Sequence, residues 1–191
     1  MGLPGGAALR VLQPEEAAEL PDDGAVEWAP LAPYWAVLWR SGVALAIEVA
    51  GLDLRGRRVV ELGCGLGPPS LAAARAGAEV LATDSAPEAL ELVARSARAN
   101  ELEVETLRAD WAAPEALVAR APFDLVFAAD VLYEQSAAAP LLELLPRLAP
   151  EALVADPGRP AAEPFWRAAA GRWGVETHSR GVVAVSRLRF D

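Results

Sequence analysis

The run Glu61-Leu62-Gly63-Cys64-Gly65-Leu66-Gly67-Pro68-Pro69 follows Val59-Val60 and has the residues of a strand, a glycine-rich turn and a helix start. Gly63 and Gly65 let the backbone turn tightly and approach a ligand, and Gly67 lets a helix pack close. Prolines suit the following helix start, where the first amides lack intrahelical acceptors. A turn of this kind takes a nucleotide-type ligand, with an acid about 20 residues further on for the ribose hydroxyls. Asp84 stands at that distance, at the end of the next strand. The spacing is G-x-G-x-G, and no second phosphate-reading feature follows. An adenosine without a pyrophosphate therefore fits better than a dinucleotide.

The elements that must position these residues alternate along the chain. Arg58 to Leu62 reads as a strand, Ser70 to Ala76 as a small-residue helix and Glu79 to Thr83 as a second strand. Ser85-Ala86-Pro87-Glu88 matches a capping box, so a helix starts there. It carries Leu90, Val93 and Ala97 on one face, pairs Glu91 with Arg95 and ends near Asn100. Strands follow at Val104 to Leu107 and Phe123 to Ala129. A helix over Leu141 to Leu148 leads into a strand at Ala152 to Ala155, and another helix covers Glu163 to Ala170. Two β-rich runs, Val175 to Ser179 and Val182 to Phe190, have no helix between them and read as a hairpin. The pattern predicts an α/β fold, a Rossmann-like doubly wound sheet of about seven strands. It is mostly parallel, with an antiparallel edge strand in the C-terminal hairpin. Before it, Tyr34 to Val49 places Trp35, Leu38, Trp39, Val43 and Ile47 at helical spacing. Residues 1–30, rich in Gly, Pro and acid with a turn signal at Pro21-Asp22-Asp23-Gly24, read as an N-terminal arm. Residues 31–191 form the domain.

Composition narrows the chemistry. The 191 residues carry 17 basic and 27 acidic side chains, a net charge of −10, and every basic residue is arginine. Without lysine, a pyridoxal Schiff base, a Walker-A ATPase and a lysine-dependent kinase are excluded. Cys64 and His178 cannot make a Cys/His zinc site between them, so no metal is expected. The acidic balance argues against a nucleic-acid binder. The longest apolar stretch, Ala29 to Trp39, is too short for a membrane span and contains Pro30 and Pro33. One cysteine, and no basic segment leading into an apolar one at the start, predict a cytoplasmic protein. Only Tyr34 to Trp39 stands out as an exposed apolar stripe, and a monomer is expected.

Glu61-Leu62-Gly63-Cys64-Gly65-Leu66-Gly67 resembles motif I of class I S-adenosylmethionine-dependent methyltransferases. Trp39 in its aromatic segment, Asp110-Trp111 after the third strand and Ala129-Asp130-Val131-Leu132-Tyr133-Glu134 after the fourth narrow the likeness. They resemble the seven-β-strand protein lysine methyltransferases, whose D-x-x-Y motif follows strand four. The resemblance implies S-adenosylmethionine as cofactor, with Gly63, Cys64 and Gly65 along its methionine part and Asp84 on the ribose. It implies Asp110 and Trp111 beside the adenine, Trp39 and Ala129 bordering the cofactor from the substrate side, and Glu61 bracing the loop or the cofactor's amino group. The catalytic residues it implies are Asp130 and Tyr133. The family pattern commonly has Pro after the tryptophan, where Arg40 stands here.

Asp84, Asp110 and Asp130 each follow the carboxyl end of a strand, where open α/β sheets bind ligands. An amine acceptor must arrive neutral and leave charged. Asp130 can orient it and stabilise the developing charge, Tyr133 can share a hydrogen bond, and Tyr34, Trp35 or Trp39 can add cation–π attraction. The expected partner is a protein presenting a lysine, or a small-molecule methyl acceptor. A nicotinamide oxidoreductase and a catalytically silent module of the same fold are the other readings. Ala155-Asp156-Pro157-Gly158-Arg159-Pro160 ends the fifth strand on the same face of the sheet and could contact substrate, but a Pro-Gly turn is the simpler reading. Cys64 contributes backbone rather than thiol, and His178 reads as an ordinary surface or half-buried residue of an edge strand.

Overall fold

A computed structural model describes residues 1–14 and 33–190. The turn signal at Pro21–Gly24 lies outside the described residues. In chain order the elements are α1 (Arg40–Val49), β1 (Arg58–Leu62), α2 (Pro68–Arg75), β2 (Glu79–Asp84), α3 (Pro87–Ala99), β3 (Glu105–Arg108) and α4 (Glu115–Val118). Then come β4 (Leu125–Ala129), α5 (Ala138–Leu148), β5 (Glu151–Asp156), α6 (Glu163–Ala170), β6 (Gly174–Arg180) and β7 (Val183–Arg189). The strands form one seven-stranded sheet in the order β3-β2-β1-β4-β5-β7-β6. β1 to β5 pair in parallel, while β7 runs antiparallel to both β5 and β6. The hairpin is therefore built with its antiparallel strand inside, against β5, and β6 outermost.

Strands buried on both faces explain the apolar runs in β1, β4 and β5. Side chains alternate across a strand, so neighbours enter opposite cores. Val60, Val126, Ala128 and Val154 pack with Leu141, Leu145 and Leu148 of α5 and Phe165 of α6. Val59, Leu125, Phe127 and Leu153 pack with Leu45 and Val49 of α1 and Leu71 of α2. Fully burying each such leucine contributes about 1.5–3 kcal/mol. Residues 1–12 lie against the same side as α1. Leu3 and Leu9 are buried there, the Leu12 amide donates to Ser96 Oγ, and Asn100, at the end of α3, exchanges hydrogen bonds with the Arg10 backbone.

The periodic segment Tyr34 to Val49 is not one helix. Tyr34–Ala36 is a 3₁₀ turn, Val37 to Trp39 is extended, and α1 begins only at Arg40. The Trp39 indole Nε1 donates to the Tyr34 carbonyl at 2.9 Å, which ties the turn together across the break. The capping box at Ser85 is also replaced. The residue before α3 is Ala86, without a side-chain cap, and its amide donates to Asp84 Oδ1 at 2.9 Å. The acid at the end of β2 makes the Asx turn that the serine was expected to make.

The chain runs outward from β1 through β2 to β3, then crosses to β4 and runs outward again. Sheet order thus reverses between β1 and β4. A crevice opens over the carboxyl ends at such a switch point.

Candidate functional site

The loop after β1 turns in left-handed backbone at Gly63, Gly65 and Gly67. A Cβ at Gly65 would stand 3.1 Å from the Trp35 carbonyl oxygen, so the aromatic segment and the loop can close on each other only with glycine there. A Cβ at Gly67 would come within 2.7 Å of Val93 on α3, and this is the close helix approach that the glycine permits. The loop is held from below. Asp84 Oδ2 accepts the Gly65 amide at 2.9 Å, and its other oxygen accepts the Ala86 amide. Glu61, buried in β1, accepts both the amide and the hydroxyl of Ser70 on α2. Burial outweighs those two hydrogen bonds and pushes the Glu61 carboxyl up to about 8.

Around this loop opens a cleft of about 930 Å³, within the ~300–1,000 Å³ typical of small-molecule sites. Every residue the sequence marked for cofactor binding or catalysis lines it: Trp39, Glu61, Gly63, Cys64, Gly65, Asp84, Asp110, Trp111, Ala129, Asp130 and Tyr133. They arrive from different elements. Trp111 follows β3, and a Cβ at Gly63 would lie 3.2 Å from its ring. Asp110 Oδ1 accepts the Ala112 amide and so fixes the short turn that presents the indole. Cys64 is buried, and burial pushes its thiol well above the ordinary value, with Glu61 and Asp84 adding to the effect. It is not poised as a thiolate.

The opposite wall is made by β4 and β5. Asp130 follows β4 with φ of 58°, left-handed backbone that only Asp, Asn and Gly visit readily. Its amide donates to the Ala155 carbonyl at 3.0 Å, and the side chain is buried. Tyr133 is half-exposed at the rim, its ring 6.0 Å from that of Tyr34 and tilted by 33°. Partial burial, helped by Glu134, Asp84 and Tyr34, raises the Tyr133 phenol above its ordinary value and keeps it a proton donor at neutral pH.

One member of this wall comes from the stretch after β5, for which sequence reading preferred a turn over substrate contact. Arg159 there donates through Nη1 to Asp130 Oδ1. Its guanidinium carbon lies 5.7 Å from the centre of the Trp39 ring. The turn itself is real: Asp156 Oδ1 accepts the amides of Gly158 and Arg159. The signal that points to Arg159 is the strand-end rule already used for Asp84, Asp110 and Asp130, applied to β5 as well. His178 lies on β6, away from the cleft, beside Glu48 and Arg180. No cluster of His, Cys, Asp and Glu able to hold a metal occurs among the described residues. No helix among them is long and apolar enough to cross a membrane.

A sequence model of a family described as lysine methyltransferase matches residues 34–156, which includes both walls of the cleft as far as Asp156. The chain belongs to that family. Protein N-lysine methyltransferase METTL21A of Danio rerio is 33% identical over 120 residues, 59% of this chain and 55% of its own length. The electron transfer flavoprotein beta subunit lysine methyltransferase of Xenopus laevis is 35% identical over 138 residues, 66% of this chain and 53% of its own. The chain thus spans about half the length of the curated relatives it matches. Among solved structures, a T. thermophilus 16S rRNA N2 G1207 methyltransferase in complex with AdoMet and guanosine superimposes with a TM-score of 0.64 at 24% identity. That match covers 81% of this chain and 44% of the other, and what it shows is the fold.

The residues present fit S-adenosylmethionine, the cofactor that the motif resemblance implies. A glycine cradle that a Cβ would fill at Gly65, and an acid at the end of β2 with lone pairs left over, are the features an adenosine with an attached amino acid needs.

Proposed function

We propose that the protein is a methyltransferase that adds a methyl group to a lysine side chain of a protein substrate. The observation that carries this reading is the pairing of two unlike walls across one cleft. Backbone and carboxylates suited to S-adenosylmethionine lie on the β1–β3 side. A buried carboxylate, a phenol and aromatic faces lie on the β4–β5 side. Family membership supports the choice of acceptor.

Bound in the cleft, the cofactor supplies an electrophilic methyl group on a positively charged sulfur. Asp84 is proposed to accept hydrogen bonds from the ribose hydroxyls with the lone pairs not used by Gly65 and Ala86. Gly63, Cys64 and Gly65 would follow the methionine part, with Glu61 steadying the loop from below. Asp110 and Trp111 would flank the adenine, and Trp39 and Ala129 would close the substrate side. On the acceptor, Asp130 would accept an N–H hydrogen bond, aim the nitrogen lone pair and stabilise the positive charge that grows on nitrogen. Tyr133 would donate its O–H beside it, while the Tyr34 and Trp39 faces attract the same charge. We further propose that residues 31–191 are the catalytic unit, with residues 1–30 an arm to it, and that it acts as a cytoplasmic monomer. The acidic balance and lone cysteine support this, and sedimentation of the purified protein checks the oligomeric state.

The test is incubation with methyl-labelled S-adenosylmethionine and a lysine-containing protein extract, followed by mapping of methyl-lysine by mass spectrometry. Label on lysine is expected, with turnover lowered about 100-fold in Asp130→Asn while S-adenosylhomocysteine binds within twofold of wild type. Label found only in small molecules would overturn the protein acceptor. Full turnover in the variant would remove Asp130 from the chemistry.

A further inference from the structure

Three buried or half-buried side chains meet at the ends of β4 and β5: Asp130, Asp156 and Arg159, with side-chain exposures of 7%, 2% and 29%. Arg159 bonds to Asp130, and the same nitrogen stands 3.9 Å from Asp156 Oδ2, too far for a hydrogen bond. Asp156 Oδ2 is buried and has no hydrogen-bond partner among the described residues, while Oδ1 is fully used by the turn. Burial pushes the Asp156 carboxyl above its ordinary range, and Asp130 adds to this. Such an oxygen is costly to leave unpaired.

The cluster therefore holds two carboxylates and one guanidinium, and that guanidinium, bonded to Asp130, has a second carboxylate oxygen within reach in Asp156 Oδ2. Its present seat has another property. Between the Asp130 carboxylate and the Trp39 face, a cation receives charge pairing and cation–π attraction together. Those are the two attractions proposed above for the acceptor.

We propose that Arg159 is an exchangeable occupant of the acceptor site. It holds Asp130 while the site is empty, and an alkylammonium side chain takes over Asp130 and the Trp39 face as the guanidinium moves onto Asp156 Oδ2. The exchange leaves every charge in the cluster paired: one cation on Asp130, the other on Asp156. It also makes the site selective, because a side chain that carries no positive charge at docking offers nothing to replace the ion pair it must break. The docked ammonium passes a proton to water in the cleft before its nitrogen, then neutral, can attack. The inference rests on the reading of Asp130 as the residue that faces the acceptor.

The experiment uses the full chain loaded with S-adenosylhomocysteine and titrated with n-butylammonium chloride, with tryptophan fluorescence and indole NMR shifts as readouts. Arg159→Met is expected to bind n-butylammonium at least about tenfold tighter than wild type, because no occupant must leave; tenfold in affinity is the scale of one modest ion pair. Asp156→Asn in the wild-type background is expected to weaken binding about threefold or more, and to have no effect in the Arg159→Met background. Binding in Arg159→Met no tighter than wild type, or an equal effect of Asp156→Asn in both backgrounds, overturns the exchange. Arg159→Gln serves as the second variant should Arg159→Met fail to take up S-adenosylhomocysteine. A separate arm isolates the underlying reading. If Asp130→Asn added to Arg159→Met leaves n-butylammonium affinity unchanged, then Asp130 does not face the acceptor.

Discussion

The two walls of the cleft are built on different principles. The β1–β3 wall is held by backbone: left-handed glycines, and an acid on β2 that accepts amides from the loop before it and the turn after it. The β4–β5 wall is held by side chains, a carboxylate and a guanidinium over an indole with two tyrosines at the rim. Backbone anchoring gives a fixed cradle for a ligand that is the same in every turnover. Side-chain anchoring gives a surface whose partners can be exchanged, as suits a variable acceptor. The difference teaches that rigidity and adaptability can be assigned wall by wall within one crevice.

Asp84→Ala should break the contrast most severely. It removes the acceptor of the Gly65 and Ala86 amides together with the proposed ribose contact. Calorimetry should find S-adenosylhomocysteine affinity down by about 100-fold or more, the scale of two charge-assisted hydrogen bonds. A loss under threefold would mean that the cradle does not depend on this acid. On the other wall, Tyr133→Phe keeps the ring beside Tyr34 but removes the O–H. Turnover should fall about tenfold, with S-adenosylhomocysteine affinity unchanged, since one neutral hydrogen bond is at stake. Equal turnover would leave the phenol a packing group.

The mildest probe tests the floor of the cradle. The Glu61 carboxyl sits at about 8 in the folded chain against an ordinary 4.5. Between those values the folded state holds a proton that the unfolded state has lost, so stability falls as pH rises through this window and levels off above about 8. The slope is at most about 1.4 kcal/mol per pH unit for one group. Glu61→Gln should flatten denaturant-melting stability between pH 5 and 8 relative to wild type. Parallel slopes in the two proteins would show that Glu61 does not titrate there.

The same division governs what could be read from sequence. Everything needed to recognise the β1–β3 wall is local: strand, glycines and helix start are consecutive, and Asp84 follows at a fixed interval. The sheet, too, follows from apolar runs alternating with helices, down to the hairpin without an intervening helix. The other wall joins segments that only the finished sheet brings together. Arg159 lies 29 residues from Asp130; its place after β5 puts it at the right end of the sheet, but its pairing with Asp130 is not written in its own neighbourhood. Local pattern also misled where tertiary contacts overrode it. Trp35 and Trp39 have helical spacing, yet the chain from Val37 to Trp39 is extended, with the Trp39 indole bound to the Tyr34 carbonyl and the Trp35 backbone against Gly65. Ser85 has the sequence of a cap, but Asp84, already committed to the loop, reaches the turn first.

The order of strands carries a last consequence, for solubility. Among the described residues, the sheet, seven strands wide, has two rims to which no further strand is paired, β3 and β6, each offering amides and carbonyls to any passing strand. β3 is only four residues long and has Glu105 and Arg108 at its ends. β6 carries Glu176, Thr177, His178, Ser179 and Arg180 in succession, nearly all exposed. A strand docking on either rim would strip water from these charged groups, which disfavours extension of the ladder at either end.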